Sequence, residues 1–305
     1  MTVPPGAPDP EAVTEFTVGV VARRLGVPVA TLRSWNQRYG LGPQRHRPGR
    51  HRHYTEADLA VVTRMVELVR AGAGPASAAR AARVLLEPAP PLDDARPVIT
   101  AAEHMQAARL LGLITVHLAH YGVIVTWNQL CRPAFAEIVA NQRLGRGYID
   151  VEHILSWAIT TALHRGVPTL TDLPGEPEIV LACTGGEQHV LPLEVLRAAL
   201  AEHGRPALLL GASVPPEALA QALTRRKHPA TVVLWSQSKS TAAGAAIAAV
   251  ESSRGAVLLA GPGWQHADIV SGRRHLDSLD DAVAALVATD VPAHSRANDG
   301  TNRMT

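Results

Sequence analysis

The chain has 305 residues, a formal net charge of +2, and 47% hydrophobic against 18% charged residues. This length predicts two or three domains, and the apolar content is enough for sizeable cores, which excludes disorder of the whole chain. Its two Cys, Cys131 and Cys183, lie far apart, which excludes a disulfide scaffold and a zinc knuckle and indicates a reducing cytosol. The opening MTVPPGAPDP has no basic start and no apolar core, so we expect no signal peptide.

One apolar stretch needs a decision between a membrane span and a core helix. Leu110 to Trp127 carries no formal charge, but it contains two His and two Gly. These residues favour a buried bundle helix that ends near Gly122 over a membrane span.

Positive charge is concentrated in one block near the N-terminus. Between Arg33 and Tyr54 the chain has six Arg and no Asp or Glu. A single basic block in an otherwise balanced chain indicates a nucleic-acid surface on one small domain, with a solvated loop as the alternative.

The same block has the spacing of a helix-turn-helix. Val18 to Leu25 predicts a short amphipathic helix, Gly26 the turn, and Pro28 the opening of a second helix that is polar on one face. The Gly- and Pro-containing loop from 40 to 52 then presents several guanidinium groups, which bind phosphates well. A new helix is expected after Thr55, its N-terminal cap.

This block resembles the winged helix-turn-helix of MerR-type transcription regulators. The resemblance rests on TLR at 31–33, Trp35, RYGL at 38–41, PG at 48–49 and HRHYTEAD at 51–58, in the family's order and spacing. It implies that the recognition helix touches base edges, while Tyr and Arg side chains hold the DNA backbone. Together with the basic loop, it gives these expected DNA contacts: Thr31, Arg33, Arg38, Tyr39, Arg45, Arg47, Arg52 and Tyr54. For Trp35 and Tyr54, core packing is the alternative.

A Pro-rich segment separates this head from the rest of the chain. EPAPPLDD at 87–94 indicates a linker, and residues 98 to about 170 show helical periodicity only. Within them, TWNQ at 126–129 fits a capping box that starts a new helix, and Asp150 is a candidate cap for another.

From Glu178 the periodicity changes to short apolar runs that alternate with helices. The runs are EIVLACT at 178–184, PALLLG at 206–211, 230–234 and 256–260, and the first intervening helix is expected from Glu187 to His203. This alternation indicates a doubly wound parallel sheet covered on both faces. The chain is therefore predicted to be multidomain, α and α/β. We expect a flexible arm (1–14), a winged helix-turn-helix head (15–85), a linker (86–97), a four-helix bundle (98–172), a Rossmann-like domain (173–291) and a disordered tail (292–305).

A candidate ligand loop follows the first run of the sheet domain. GGEQH at 185–189 lies at the carboxyl end of a strand, where ligands bind in parallel sheets. There His189 can present its imidazole to a metal while Glu187 orients the other ring nitrogen. A solvated surface His is the alternative.

This layout resembles the cobalamin-binding Rossmann domain, with its acid-x-His loop, its LG-x-x-VP turn at 210–215 and its late Gly-rich loop. The helical segment resembles that family's four-helix cap, and the whole resembles the CarH/LitR class of light-responsive repressors. The resemblance implies adenosylcobalamin as chromophore, with His189 as the lower axial ligand of cobalt, and DNA-bound tetramers that light takes apart, usually at carotenoid genes. The implied cofactor residues are Glu152, His153, Glu187, His189, Ser213, Val214, Ser236, Gly261 and Gly263.

Three positions depart from that pattern. The cap Trp of the family aligns with Gln142, the Gly after the His with Pro192, and the Ser after the third strand with Trp235, or with Ser236 if displaced by one. A Trp at 235 narrows the slot in which the dimethylbenzimidazole tail inserts.

The sequence therefore predicts a cytoplasmic DNA-binding regulator, most naturally a repressor. Its partners are a double-stranded operator and further copies of itself as a dimer or tetramer, with no membrane. The alternative is a regulator whose cobalamin-like domain binds a different small molecule or only protein partners. An enzyme is not expected, because no substrate barrel, P-loop, nucleophile elbow or G-x-G-x-x-G spacing is found.

Overall fold

The computed structural model describes residues 15–43, 53–70, 72–167, 176–265 and 272–288. The chain divides into two compact units, residues 1–175 and 176–305. The predicted arm (1–14) and tail (292–305) lie outside the described residues.

The head of the first unit is a small helical domain closed by a two-stranded ribbon. The ribbon pairs β1 (Phe16–Thr17) with β2 (His53–Tyr54) in antiparallel register. Its helices are α1 (Val18–Leu25), α2 (Val29–Tyr39), α3 (Glu56–Arg70) and α4 (Pro75–Ala82), followed by a 3₁₀ turn (Arg83–Leu86).

Local sequence explains where the head's helices begin and end. Gly26 ends α1 in the left-handed conformation (φ 62°), which glycine adopts at little cost, and Pro28 precedes α2. Thr55 and Asp58 form a reciprocal cap on α3, because the Thr55 hydroxyl accepts from Asp58 N–H (3.1 Å) and the Asp58 carboxylate accepts from Thr55 N–H (3.0 Å). The predicted helix-turn-helix and the predicted Thr55 cap are confirmed.

The rest of the first unit is a helical bundle. It contains α5 (Arg96–Glu103), α6 (Ala107–Thr126), a π-helical turn (Trp127–Cys131), α7 (Arg132–Arg143) and α8 (Ile149–Gly166). Fully buried Leu110 and Ile114 of α6, with Leu155 of α8, lie in its core.

Two predicted helix starts in the bundle are wrong. Thr126 does not cap a new helix, because it is itself helical (φ −60°, ψ −42°) and α6 runs on through the π turn into α7. The interruption is at Gly122, whose φ of 74° and ψ of 179° no helix accommodates. Asp150 lies in the first turn of α8, and the cap position belongs to Tyr148.

One stretch of the described residues, Ala107–Arg143, is long and apolar enough to cross a membrane by length and composition. Such a stretch is also typical of a core helix, and α6 packs against α5 and α8 in this unit. We therefore assign it to the bundle.

The second unit is a five-stranded parallel sheet with helices on both faces. Its strands are β3 (Ile179–Cys183), β4 (Ala207–Gly211), β5 (Thr231–Trp235), β6 (Ala256–Ala260) and β7 (Arg274–Leu276), in the order β4-β3-β5-β6-β7. The helices are α9 (Leu191–Glu202), α10 (Pro216–Thr224), α11 (Gly244–Ser252) and α12 (Leu279–Val287). From β3 the chain adds β4 on one side and then β5 on the other, so the order of strand addition reverses between β3 and β5. At such a chain reversal, doubly wound sheets bind ligands.

The helices form two layers, one on each face of the sheet. Contacts pair α9 with α12 and α10 with α11. The core between the sheet and the second layer contains Leu234 of β5 and Leu259 of β6. Because side chains alternate along a strand, the neighbouring Trp235 and Ala260 emerge on the side of α9 and α12.

Candidate functional site

The second helix of the head presents a polar face. Leu32 and Trp35 of α2 are buried in the head core, while Arg33, Gln37 and Arg38 are exposed. Arg33 and Gln37 lie four residues apart and therefore share one side of the helix. The sequence did not lead us to predict Gln37 as a DNA contact, although its spacing of four residues from Arg33 places both on one side of the helix.

The two aromatic residues for which core packing was the alternative lie in the head core. Trp35 is 9% exposed and Tyr54 is 2% exposed. The Tyr54 ring stands against Gly42, where an added Cβ would lie 3.2 Å from it. Their burial supports the packing alternative for both residues, and the DNA contact of Tyr54 stays a prediction.

The remaining predicted DNA contacts have mixed positions. Thr31 and Tyr39 of α2 are half-buried, and Tyr39 packs against the head core. The wing arginines Arg45, Arg47 and Arg52 lie outside the described residues.

The sheet domain places Glu187 and His189 together, at the carboxyl end of β3. Glu187 is buried and accepts from His189 twice, from the backbone N–H (2.8 Å) and from ring Nδ1 (2.6 Å). A carboxylate can only accept hydrogen bonds, so Nδ1 carries a hydrogen, and in the tautomer that this selects the lone pair is on Nε2. The His189 side chain is 60% exposed, which leaves Nε2 free to bind a metal from outside.

The other carboxylate oxygen of Glu187 reaches the loop after β5. It accepts from the backbone N–H of Gln237 and from the hydroxyl of Thr241, both at 2.7 Å. Glu187 therefore joins the loops on the two sides of the chain reversal. The predicted helix start at Glu187 is wrong, because these bonds hold 187–190 outside the helix and α9 begins at Leu191, with Pro192 in its first turn.

These hydrogen bonds favour the charged form of Glu187. Burial alone raises the pKa of this carboxyl, but the bonds from the backbone of His189 and Gln237 and from the side chains of Thr241 and His189 lower it more. The pKa falls from an ordinary value of 4.5 to about 2. Glu187 thus remains an acceptor for His189 across the physiological pH range.

Replacement of Glu187 by Gln is expected to lower the free energy of unfolding at pH 7 by about 2 kcal/mol. In wild type both carboxylate oxygens accept hydrogen bonds, whereas the N–H₂ of Gln would point a donor at other donors. The folded pKa lies below the unfolded one, so the contribution is complete above pH 4.5 and declines as the pH falls toward 2. Urea unfolding of Glu187→Gln at pH 7 and at about pH 3 measures this difference. Exposed Glu178→Gln is the control, and an equal loss in both variants would contradict the assignment.

The loop after β4 supports the Glu187 loop from its other side. Ser213 donates its backbone N–H to the Glu187 carbonyl (2.7 Å), and its hydroxyl accepts from Gly186 N–H (3.0 Å). Val214 N–H donates to the Cys183 carbonyl at 3.1 Å. Of the predicted cofactor residues, Ser213 and Val214 therefore lie next to Glu187 and hold its loop.

The loops after β5 and β6 are packed backbone against backbone. Ser236 is fully buried, with its hydroxyl donating to the Ser238 carbonyl (2.9 Å) and lying 2.8 Å from the Thr241 hydroxyl. A Cβ at Gly261 would lie 2.3 Å from the Ser236 carbonyl, and one at Gly263 would lie 2.4 Å from the Ser238 carbonyl. These glycines permit the close contact that puts Thr241 beside Glu187. Thr241 escaped the sequence analysis, because nothing in its own neighbourhood distinguishes it from other loop hydroxyls.

Glu152 and His153 lie in the other unit, on α8. His153 is exposed, and Glu152 accepts from the side-chain amide of Gln142 at 2.6 Å. Gln142, which replaces the family's cap Trp, thus gives this part of the bundle a polar pair.

The donor set around His189 suits a metal that brings most of its own ligands. Among the described residues no group of three His, Cys, Asp or Glu is suitably placed to hold an ion. A single imidazole oriented by a carboxylate fits cobalt in a corrin ring, which supplies four nitrogens itself. The loop of His189 therefore fits a corrinoid, whereas Trp235, half-buried with its indole N–H unpaired, fits the nucleotide tail poorly.

Comparisons with known proteins relate this chain to transcription regulators. Residues 16–84 match the MerR HTH family regulatory protein model. The chain is 25% identical over 223 residues to the HTH-type transcriptional repressor CarH of Myxococcus xanthus, covering 68% of this chain and 74% of CarH. It is 27% identical over 210 residues to the repressor CarA of the same organism, covering 66% and 70%.

The corrinoid protein for monomethylamine of Methanosarcina barkeri shares the fold. It has 12% sequence identity and a TM-score of 0.52, covering 64% of this chain and 97% of that one. The molecule thus joins a MerR-type head to a domain that shares the fold of this corrinoid protein, and the curated relatives that it matches are transcription regulators, not enzymes. The chain thus has a MerR-type head, and over about two thirds of its length it is similar to the transcriptional repressors CarH and CarA.

Proposed function

We propose that this chain is a cytoplasmic transcriptional repressor that binds a double-stranded operator and senses cobalamin through His189. The observation that carries the proposal is the Glu187–His189 pair at the chain reversal of the sheet, in a chain that also has a MerR-type head. The absorbance of full-length protein after incubation with hydroxocobalamin and gel filtration tests it. A retained corrinoid spectrum supports the proposal, and a colourless protein contradicts it.

The proposed DNA surface is the exposed side of α2 and the basic loop that follows. Arg33 is placed to reach base edges with Gln37 beside it, and Arg38 to reach the DNA backbone, while Thr31 and Tyr39 flank them. The loop arginines Arg45, Arg47 and Arg52 complete the proposal as phosphate contacts.

Arg33→Ala is expected to weaken operator binding about tenfold, since a side chain at a base edge contributes about 1–3 kcal/mol. Fluorescence anisotropy with promoter DNA measures the affinity. Arg109→Ala is the matched control, because it removes the same charge from an exposed position of the bundle. Equal affinities of wild type and Arg33→Ala would exclude α2 as the reading helix.

The residues of the sheet domain have separate roles in holding the ligand. We propose that His189 Nε2 would bind the cobalt of the cofactor, that Glu187 fixes the imidazole, and that Ser213 and Val214 hold the loop. Ser236, Gly261 and Gly263 act by shaping the neighbouring loops. Adenosylcobalamin is the proposed form, and its cobalt–carbon bond would supply light sensitivity when bound. Glu152 and His153 remain predicted cofactor residues.

Coupling between ligand and DNA requires self-association and a path to the head. A single small head makes few contacts, and a dimer or tetramer multiplies them on a repeated operator. Within the first unit, the guanidinium of Arg64 in α3 donates to the carbonyl of Gly166 at the end of α8, and Tyr121 of α6 donates to the Pro90 carbonyl at 2.5 Å. These contacts connect the head and the linker to the bundle. A ligand that binds one assembly more tightly than the other shifts the DNA affinity by that difference in free energy.

A second candidate function follows from Trp235. Its ring stands beside Gly261, with an added Cβ there 3.2 Å from it, on the side of the sheet nearest the His189 loop. This position favours a flat or apolar small molecule other than cobalamin as the sensed ligand. The same absorbance measurement separates the two, because a repressor of this second kind stays colourless while binding DNA.

A further inference from the structure

Trp235 is a bulky residue in a row of small ones. It ends β5, and its register partners are Cys183 of β3 and Ala260 of β6, with Gly261 next. Register partners in a parallel sheet project on the same side, so the indole stands among a thiol, a methyl group and a glycine. It therefore occupies space that its neighbours leave open between the sheet and the layer of α9 and α12.

This row lies directly beneath the candidate cobalt ligand. The thiol of Cys183 contacts the backbone carbonyl of His189 at 3.8 Å. The Trp235 ring also lies close to Gly261, since a Cβ added at Gly261 would lie 3.2 Å from it. Its indole N–H is buried without a hydrogen-bond partner, whereas the N–H of Trp264 on the opposite side donates to the Leu234 carbonyl (3.1 Å). Trp235 thus fills the space without being anchored there by a polar contact.

The chemistry of cobalamin makes that space important. Its nucleotide tail hangs from the lower side of the corrin ring, and its base leaves cobalt when an imidazole from the protein takes the lower position. The displaced base stays tethered on the side from which His189 comes, so it needs room beside His189 or must remain outside. Forcing a ring into a filled space lowers affinity about tenfold or more.

We propose that Trp235 sets the class of ligand at this site: the chain binds corrinoids by His189 without taking up the lower nucleotide. Cobinamide, which is the corrin ring without that nucleotide, is then bound as tightly as cobalamin. This inference rests on the proposed corrinoid function. It goes further by naming the lower nucleotide as the part of the ligand that the protein does not recognise.

The test compares two ligands on three proteins. Full-length wild type, Trp235→Ala and Trp235→Phe are titrated with hydroxocobalamin and with aquacobinamide, and absorbance and calorimetry give the two dissociation constants. The wild type is expected to bind both within about threefold, and Trp235→Ala to favour cobalamin about tenfold, because the vacated space admits the base. Trp235→Phe keeps a ring in place and is expected to resemble the wild type.

The outcomes distinguish failure of the inference about Trp235 from failure of the proposed corrinoid function. A wild type that binds cobalamin about tenfold more tightly than cobinamide overturns the inference and supports the corrinoid function. Binding of neither ligand overturns the proposed function, and the inference with it. If Trp235→Ala does not fold, the wild-type ratio alone decides. Free dimethylbenzimidazole that tightens cobinamide binding to Trp235→Ala, and not to wild type, is further support.

Discussion

His189→Ala is expected to lower the affinity for hydroxocobalamin about a hundredfold, because it removes the imidazole nitrogen that the protein offers to cobalt. Glu187 holds that imidazole through Nδ1 at 2.6 Å and leaves Nε2 as the free donor. No other grouping of metal ligands among the described residues is placed to substitute for it. The affinity is measured by titration of the absorbance of the full chain.

A matched control separates this effect from a general loss of structure. His228→Ala removes an exposed imidazole from the same unit and is expected to leave corrinoid affinity unchanged. The ligand-free DNA affinity of His189→Ala is expected to equal that of wild type, since the head lies in the other unit. Undiminished corrinoid binding by His189→Ala would remove His189 from the site.

Gly263→Ala is expected to lower the free energy of unfolding by about 3 kcal/mol, because its methyl group has no space. The added Cβ would lie 2.4 Å from the Ser238 carbonyl and 2.5 Å from the Ser236 hydroxyl, so the loop after β5 must move. That loop carries Thr241, which binds Glu187, and corrinoid affinity is expected to fall as well. Urea unfolding measures the stability.

Gly185→Ala is the control for this prediction. Its added Cβ meets only the Val214 carbonyl at 3.8 Å and Pro216 at 3.9 Å, which are ordinary contacts. We expect a change below about 1 kcal/mol there. Equal stability of the two variants would mean that the loops after β5 and β6 do not pack as described.

The sequence predicted those helices and strands whose bounds are set by residues close by in the chain. The helix Val18–Leu25 has a cap at Thr17 and a glycine after its end, and the strand Ala256–Ala260 is a continuous apolar run, so both were predicted with their observed bounds. The last strand, Arg274–Leu276, was missed because it is short and polar. It exists because its backbone pairs with the edge of β6, which no local pattern reveals.

The candidate site was predictable in part for the same reason. The acid-x-His spacing placed Glu187 and His189 within three residues, and a contact between them follows from that spacing. Thr241 lies 54 residues from Glu187 and reaches it only because the parallel sheet sets β3 beside β5. Tyr54 lies in β2 and is buried in the head core, which supports the packing alternative for this residue.

DNA affinity of the full chain with and without bound corrinoid tests the central proposal most directly. A single anisotropy titration of promoter DNA, repeated with hydroxocobalamin and with His189→Ala, makes the comparison. The account predicts that corrinoid changes the DNA affinity of wild type and leaves that of His189→Ala unaltered. A wild type that holds the corrinoid while its DNA affinity stays the same would contradict it, as would a chain that binds no promoter fragment in dilute salt.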